Sequence, residues 1–414
     1  MTLDTDRVRA RFPALTSGAV FFDNPGGTQV PDRVVDRMVD YLVRTNANHG
    51  GAFATSQESD AVIDQTRAAL AALVGAARPE EIVFGPNMTT LAFALSRALE
   101  AEVEAGDEIV VTRLDHDANI TPWVRMAARR GARVRWVDFD PEDGTLRLEQ
   151  LEQALGPRTR LVACGYASNA LGTVNPVAQV AALARQAGAL SFIDAVQYAP
   201  HGPIDVQALG CDFLAVSAYK FFGPHMGVLY GRHALLERLQ PDRVRPAPSQ
   251  APGKFETGTG NHEGIAGTLG ALEYLAWVGE TFGGAASDAG WRARLAGGLE
   301  AIRTHEAGLS RAVLERLQRI PGLRLWGLAE AEAVGRRVPT FGFTLEGHTP
   351  RAVAEALGRE GLYLWDGNFY ALAVTERLEL EPSGGLVRAG LVHYNTLQEI
   401  DRLEQALRRL ASRR

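Results

Sequence analysis

The chain has 414 residues, 46% of them apolar and 22% charged, with a formal net charge of -6. That is ordinary globular composition, which excludes disordered, collagenous and coiled-coil architectures and argues against bulk electrostatic binding of nucleic acid. Two cysteines, Cys164 and Cys211, cannot build a disulfide framework, and no stretch approaches 18 uninterrupted apolar residues.

The opening residues, Met1 to Asp6, are acidic and lack the apolar core of a signal peptide. A soluble, cytoplasmic protein without a membrane partner is expected, with two or three domains at roughly 100 to 200 residues each. Short apolar runs rich in Val, Ile, Leu and Phe then recur at 81–84, 108–112, 134–138, 161–165, 190–194, 213–217 and 226–230. They lack clean alternation, as strands buried on both faces do. Helical patterns separate them, such as 177–187, with Pro176 near its start and Gly188 just past its end. Repeated alternation of strand and helix predicts an α/β domain with a mostly parallel sheet.

A helix is expected at 263–278, a glycine-rich loop at 279–288 and a long helix at 291–319 that crosses into a smaller α+β domain. That domain has expected strands near 323, 340–345, 362–364 and 387–391, and helices near 351–359 and 397–410. The domains read as 21–290 (large) and 291–414 (small), with residues 1–20 packed on the small one. The five arginines of the tail 402–414 read as a solvated helix face.

Only Lys220 and Lys254 among the 43 Lys and Arg residues are lysines. A bias toward Arg codons accounts for the swap. Arg serves most surface roles of Lys, but its guanidinium cannot act as an imine-forming amine. A surviving Lys is therefore a candidate for chemistry that Arg cannot do.

Asp194 ends one expected strand, and Lys220 follows another. Ligands of open α/β sheets bind beyond the carboxyl ends of strands. An Asp and a Lys there suit pyridoxal phosphate: the Lys holds the cofactor covalently and the Asp keeps its pyridinium nitrogen protonated. A loop-capping Asp and a surface Lys would give the same spacing.

The turn 85–90 (Gly-Pro-Asn-Met-Thr-Thr) leads from a strand into a helix, and such an N-terminus is a natural anion site or a plain Thr cap. The turn 257–261 with Gly264 has the wrong spacing and frame for a dinucleotide fingerprint. His116 follows a strand and could stack on a flat cofactor or move protons. Asn169 and Gln197 could donate to a phenolic oxygen. Arg388, in an apolar strand pattern, needs a partner, either a substrate carboxylate held by two bonds or a structural carboxylate. Metal-site motifs and the serine-hydrolase elbow are missing.

In this order the motifs resemble the class V aminotransferase family of pyridoxal-phosphate enzymes, and within it the cysteine desulfurase and selenocysteine lyase group. The likeness runs from Phe22-Asp23-Asn24-Pro25-Gly26-Gly27 to Val387-Arg388-Ala389, and its central block is Asp194 to Lys220 with Gly223-Pro224. It implies the fold type I architecture, a small C-terminal domain and an active site shared across a homodimer. It further implies Lys220 as the cofactor lysine, Asp194 on the pyridine nitrogen and His116 on the ring. Asn169 and Gln197 would lie near the phenolic oxygen. Met88 through its backbone, Thr89 and Ser217 would hold the phosphate, with Thr259 reaching the neighbouring subunit's phosphate. Arg388 would take the substrate carboxylate, with Asn24 and Tyr370 beside the substrate.

Two departures stand out. Tyr219 replaces the His common before the lysine, though its hydroxyl can still donate to phosphate. Tyr370 stands about where desulfurases carry their nucleophilic Cys. A persulfide is therefore not expected. The expected chemistry is α,β-elimination from a sulfur- or selenium-bearing amino acid. Transamination, epimerisation and a non-catalytic scaffold are the alternatives, and Tyr370 or His393 could donate a second proton in an epimerase.

Overall fold

The computed structural model describes residues 3–412. A two-residue strand, Val20–Phe21 (β1), precedes seven strands that form one sheet: Ile82–Gly85 (β2), Glu108–Thr112 (β3), Arg133–Val137 (β4), Thr159–Gly165 (β5), Leu190–Asp194 (β6), Phe213–Ser217 (β7) and Gly227–Gly231 (β8). Their order is β2-β8-β7-β6-β5-β3-β4, and only β8 runs against the others.

Successive side chains of these strands enter opposite cores, which is why the sequence shows continuous apolar runs. Val110, Val162, Ile193, Leu214 and Val228 pack in one cluster with Leu269 and Leu272 of the helix His262–Phe282. Val111, Ala163, Phe192, Phe213 and Leu229 pack in the other with Leu95 and Trp123 of the helices Met88–Leu99 and Thr121–Arg130. β4 at the sheet edge is the exception, with Arg133, Arg135 and Trp136 exposed.

The smaller sheet is antiparallel, in the order β12-β13-β10-β9, from Leu323–Trp326 (β9), Thr340–Leu345 (β10), Trp365–Gly367 (β12) and Leu386–Gly390 (β13). Leu362–Tyr363 (β11) pairs in parallel with β1. The expected strand 362–364 is thus β11, in a different sheet from β12, which follows at 365 and was not expected. Helices Pro350–Gly358 and Leu397–Ala411 cover the small core.

The helix Trp291–Leu317 joins both bodies: Leu295, Leu299 and Ile302 lie in the large core, Leu309, Val313 and Leu317 in the small one. The opening residues divide otherwise than expected. Leu3, Val8, Phe12 and Leu15 pack in the large core, and only Val20 and Phe22 join the small one. The expected loop from 279 also starts later, because the preceding helix continues to Phe282. A Cβ on Gly279 would lie 1.9 Å from the Arg294 carbonyl oxygen, and one on Gly298 2.3 Å from that of Leu275. These glycines let two helices touch at their backbones. In the tail, Arg408 pairs with Glu404 and Arg409 with Glu360, while Arg413 and Arg414 lie outside the described residues.

Candidate active site

The carboxyl ends of β3, β5, β6 and β7 open onto a cavity of about 1140 Å³, closed on its far side by the small-domain segment 365–370. Lys220 ends a short turn, Ala218–Lys220, immediately after β7. Its Nζ donates to the Pro25 carbonyl and lies 4.8 Å from the Tyr219 ring centroid. Burial lowers the amine to about 7, helped by the charge of Arg388 and opposed by Asp194 and Asp23. A neutral amine near physiological pH is what a nucleophile or a base needs.

Asp194 ends β6 and accepts from the Val196 N–H at 2.9 Å. Burial raises its carboxyl to about 6, against the pull of that bond and of Lys220. His116, on the loop after β3, accepts the Ala118 N–H on Nδ1 at 3.0 Å, so its own proton sits on Nε2. Burial drives the imidazole down to about 4, with Lys220 and Arg388 adding to the effect. It is a flat, uncharged ring at neutral pH, and the Tyr370 ring stacks near it, centroids 5.6 Å apart at 21°.

Asp115 escaped the sequence reading as a site residue. It lines the cavity and accepts from Asn119 Nδ2 at 3.0 Å and from the Thr112 hydroxyl. Burial raises it to about 7, and Asp194 adds to the rise. Gly165 makes room for it: a Cβ there would lie 2.5 Å from Asp115 Oδ1. The Thr112–Asp115–Asn119 spacing, three and four residues apart, was the available signal.

At the N-terminus of Met88–Leu99, Asn87 caps by accepting the Thr90 N–H at 2.8 Å, and Ser217 Oγ accepts the Met88 N–H at 3.2 Å. First-turn N–H groups have no partner inside the helix, so Thr89 keeps a donor for an anion. Met88, Thr89 and Ser217 all line the cavity.

Arg388 crosses from the small sheet. Its Nη1 donates to the Asn169 carbonyl at 2.8 Å, its guanidinium lies 4.1 Å from the Phe369 ring centroid, and its buried Nε has no partner. Asp23, which the sequence motif contains but to which no site role was given, supplies the compensating charge. Burial raises its carboxyl while Arg388 and Lys220 pull it down. It meets Gly390 of β13 in a parallel bridge, a contact no local pattern announces.

Asn169 Nδ2 donates to the Phe369 carbonyl at 2.9 Å, and Gln197 Nε2 to Thr340 Oγ1 at 3.0 Å. Both line the cavity, and Asn169 Oδ1 is buried without a partner. Tyr219 lines it too, its ring stacked on that of His225 at 5.1 Å and 16°.

One expected residue lies elsewhere. Asn24 is 3% exposed and does not line the cavity. Its amide donates to the Phe21 and Gly390 carbonyls, each at 2.8 Å, and its Oδ1 accepts the Tyr394 hydroxyl. It fastens the loop whose next residues, Pro25 and Gly26, do line the cavity. Thr259 lies in an exposed turn outside this chain's own cavity. Tyr370 is 75% exposed, and both it and Phe369 have positive φ, 56° and 57°. Hydrogen bonds that hold that turn include Asp117 N–H to the Tyr370 carbonyl, Tyr370 N–H to Asn368 Oδ1, Ala371 N–H to the Asn368 carbonyl and Asn169 to Phe369.

The Aminotransferase class-V family model matches residues 20–403. A cysteine desulfurase of Synechococcus elongatus is 35% identical, with 98% of this chain aligned to 64% of that protein's length. The aminotransferase-like protein FGM3 of Gibberella zeae is 34% identical over 97% of each chain. Among solved structures, the apo cysteine desulfurase of Thermococcus onnurineus NA1 has a TM-score of 0.89 at 27% identity, covering 100% of both chains. The cysteine desulfurase CsdA of Escherichia coli has a TM-score of 0.85 at 27% identity, covering 100% of this chain and 99% of that one. The chain belongs to the class V aminotransferase family and is a pyridoxal-phosphate-dependent enzyme.

The residues present fit that cofactor. The cavity has an amine of lowered pKa, a carboxylate at a strand end, a flat neutral imidazole and a helix N-terminus. The orphaned Asn169 Oδ1 and Arg388 Nε are buried polar atoms of the kind that a bound ligand satisfies. Among the described residues no helix is long and apolar enough to cross a membrane, and no cluster of His, Cys, Asp or Glu could hold a metal.

Proposed function

We propose that this enzyme cleaves the Cβ–S or Cβ–Se bond of a cysteine-like amino acid by α,β-elimination, without transfer of the sulfur to a protein thiol. With one water consumed, the products are a thiol, sulfide or selenide, pyruvate and ammonium. Pyridoxal phosphate supplies the electron sink for bonds at Cα. Lys220 would hold the cofactor, and its amine, lowered to about 7, would take the Cα proton and pass it to the departing sulfur or selenium. Asp194 would keep the pyridine nitrogen protonated, and His116 would cover the ring. Arg388, with donors to spare, takes the substrate carboxylate.

The observation that carries this reading is the absence of a thiol from the cavity lining among the described residues. Cys164 and Cys211 are 0% and 1% exposed, and burial pushes both thiols up, Cys211 to about 12. Such thiols are poor nucleophiles. Tyr370 occupies the loop instead. The test is a panel of L-cysteine, L-selenocysteine and S-substituted cysteines assayed for pyruvate and released sulfur or selenium. A panel that yields neither refutes elimination.

Transamination is the second reading, favoured by the likeness to an aminotransferase-like relative. It predicts loss of the visible band with amino acid and its recovery with an added keto acid, which elimination does not. The site is further proposed to be shared across a homodimer, with Thr259 serving the neighbouring cavity. A monomer in sedimentation that is fully active would refute that arrangement.

A further inference from the structure

The cofactor's phosphate poses a charge problem that the groups considered so far do not solve. A phosphate monoester carries about -1.5 to -2 charges near pH 7. The donors gathered at the helix N-terminus, Met88, Thr89 and Ser217, are neutral. The cavity lining adds the carboxyl groups of Asp115, Asp117, Asp194 and Asp366.

Its lysine and arginine side chains are Lys220 and Arg388. Lys220 is the covalent anchor. Arg388 stands on the small-domain sheet, beside Asn169 and Phe369. His116 is held neutral, because its Nδ1 is an acceptor for the Ala118 N–H and burial opposes its charge. One basic side chain of the lining is left.

We propose that His225 supplies the positive charge at the phosphate end of the cofactor, with the Tyr219 ring holding its imidazole in place. The inference rests on the pyridoxal-phosphate reading above.

Its position follows from the backbone. His225 lies between the Lys220 turn and β8, two residues before Gly227. Gly227 pairs with both Ser217 and Gly85, and a Cβ on it would lie 2.4 Å from the Asn87 carbonyl carbon. The segment 225–227 therefore runs against the cap of the helix that offers its N-terminus, next to the strand end that carries Ser217. The ring stack on Tyr219, 5.1 Å and 16°, fixes the imidazole plane at the cavity wall. No ion pair among the described residues occupies His225, so its ring nitrogens are available to a ligand. Tyr219 is the residue that departs from the family's usual His before the lysine. His225 would return an imidazole to the same wall from a different position in the sequence.

The experiment compares pyridoxal phosphate with pyridoxal, which has the same ring and aldehyde but no phosphate. Both attach at Lys220 and can be titrated by the visible band on the whole apoenzyme. His225→Ala should weaken pyridoxal phosphate binding about tenfold and leave pyridoxal within about twofold, because a charge-assisted bond to phosphate is lost and nothing else. His225→Lys should recover most of the loss. Inorganic phosphate should slow cofactor uptake by the parent protein and do so less in His225→Ala.

Equal weakening of both compounds would reduce His225 to a structural residue, and unchanged affinity for both would remove it from the site. Either result overturns the proposal while leaving the cofactor reading intact. A parent protein that develops no band with either compound would overturn the cofactor reading itself.

Discussion

Lys220 and Lys254 are the same residue in two settings. Both are drawn in from solvent, and both donate to a backbone carbonyl, Lys220 to Pro25 and Lys254 to Glu237 at 2.8 Å. Lys220 has a cavity in front of it, with Asp194, Asp23 and Arg388 setting its charge. Lys254 is 1% exposed and enclosed, with the Glu237 carboxylate 4.0 Å away and the Phe255 ring centroid at 5.9 Å. Rarity marks a lysine that arginine does not replace, and there are two reasons for that. One is chemistry at an amine that must lose its proton. The other is space, since a compact ammonium fits where a planar guanidinium does not. Only the surroundings separate the two.

Removing each amine separates the two settings most directly. Lys220→Ala should abolish the covalent visible band, and Lys220→Arg should abolish it equally, because charge without an imine-forming amine is no substitute. A band surviving in Lys220→Arg would mean that the cofactor is held elsewhere. The next effect is on pH. An ordinary lysine amine titrates near ~10.4, so its neutral fraction keeps rising far above neutrality. Lys220 is lowered to about 7. Its rate of cofactor attachment should be about tenfold slower at pH 6 than at pH 8 and then level off. The sign for stability follows too: between pH 7 and the ordinary value the unfolded chain binds the extra proton, so the apoenzyme gains stability as pH rises through that window. Stopped-flow attachment rates that climb steadily through pH 10 would contradict the lowered amine.

How far these assignments were legible in the sequence depends on the kind of contact. Asp194, Lys220, His116 and Ser217 could be read because each follows a strand, and an α/β sheet gathers strand ends at one edge. Asp23 could not. Its neighbour is Gly390, brought there by pairing between segments at opposite ends of the chain. Asn24 was misread for a related reason: adjacency to Pro25 and Gly26 suggested a site role, yet its amide turns away to bind Gly390 and Asn395. Gly279 read as a loop because sequence does not distinguish a glycine that permits a turn from one that permits helix contact. The turn 368–371 was visible as a departure from the family, but its two consecutive positive φ angles and its hydrogen bonds to both domains were not.

Two smaller effects test the other lysine. Lys254→Met keeps much of the side-chain length and removes the donor, which leaves the Glu237 carbonyl without that bond. A cost of about 1 to 3 kcal/mol is expected, with pyridoxal phosphate affinity within about twofold of the parent. A large loss of cofactor binding would give Lys254 a part in the site that its position does not suggest.

The smallest effect separates the two oxygens that Lys254 meets. Glu237 accepts the Ala251 N–H on Oε1 at 2.8 Å, and its side chain is 36% exposed. Glu237→Gln retains an oxygen for Ala251 and removes only the charge. At 4.0 Å and with that exposure, the ion pair to Lys254 should contribute less than about 1 kcal/mol. Denaturant unfolding should therefore move much less for Glu237→Gln than for Lys254→Met. If the two variants fell equally, the carboxylate and not the carbonyl would be holding Lys254, and both lysines would depend on an acidic partner.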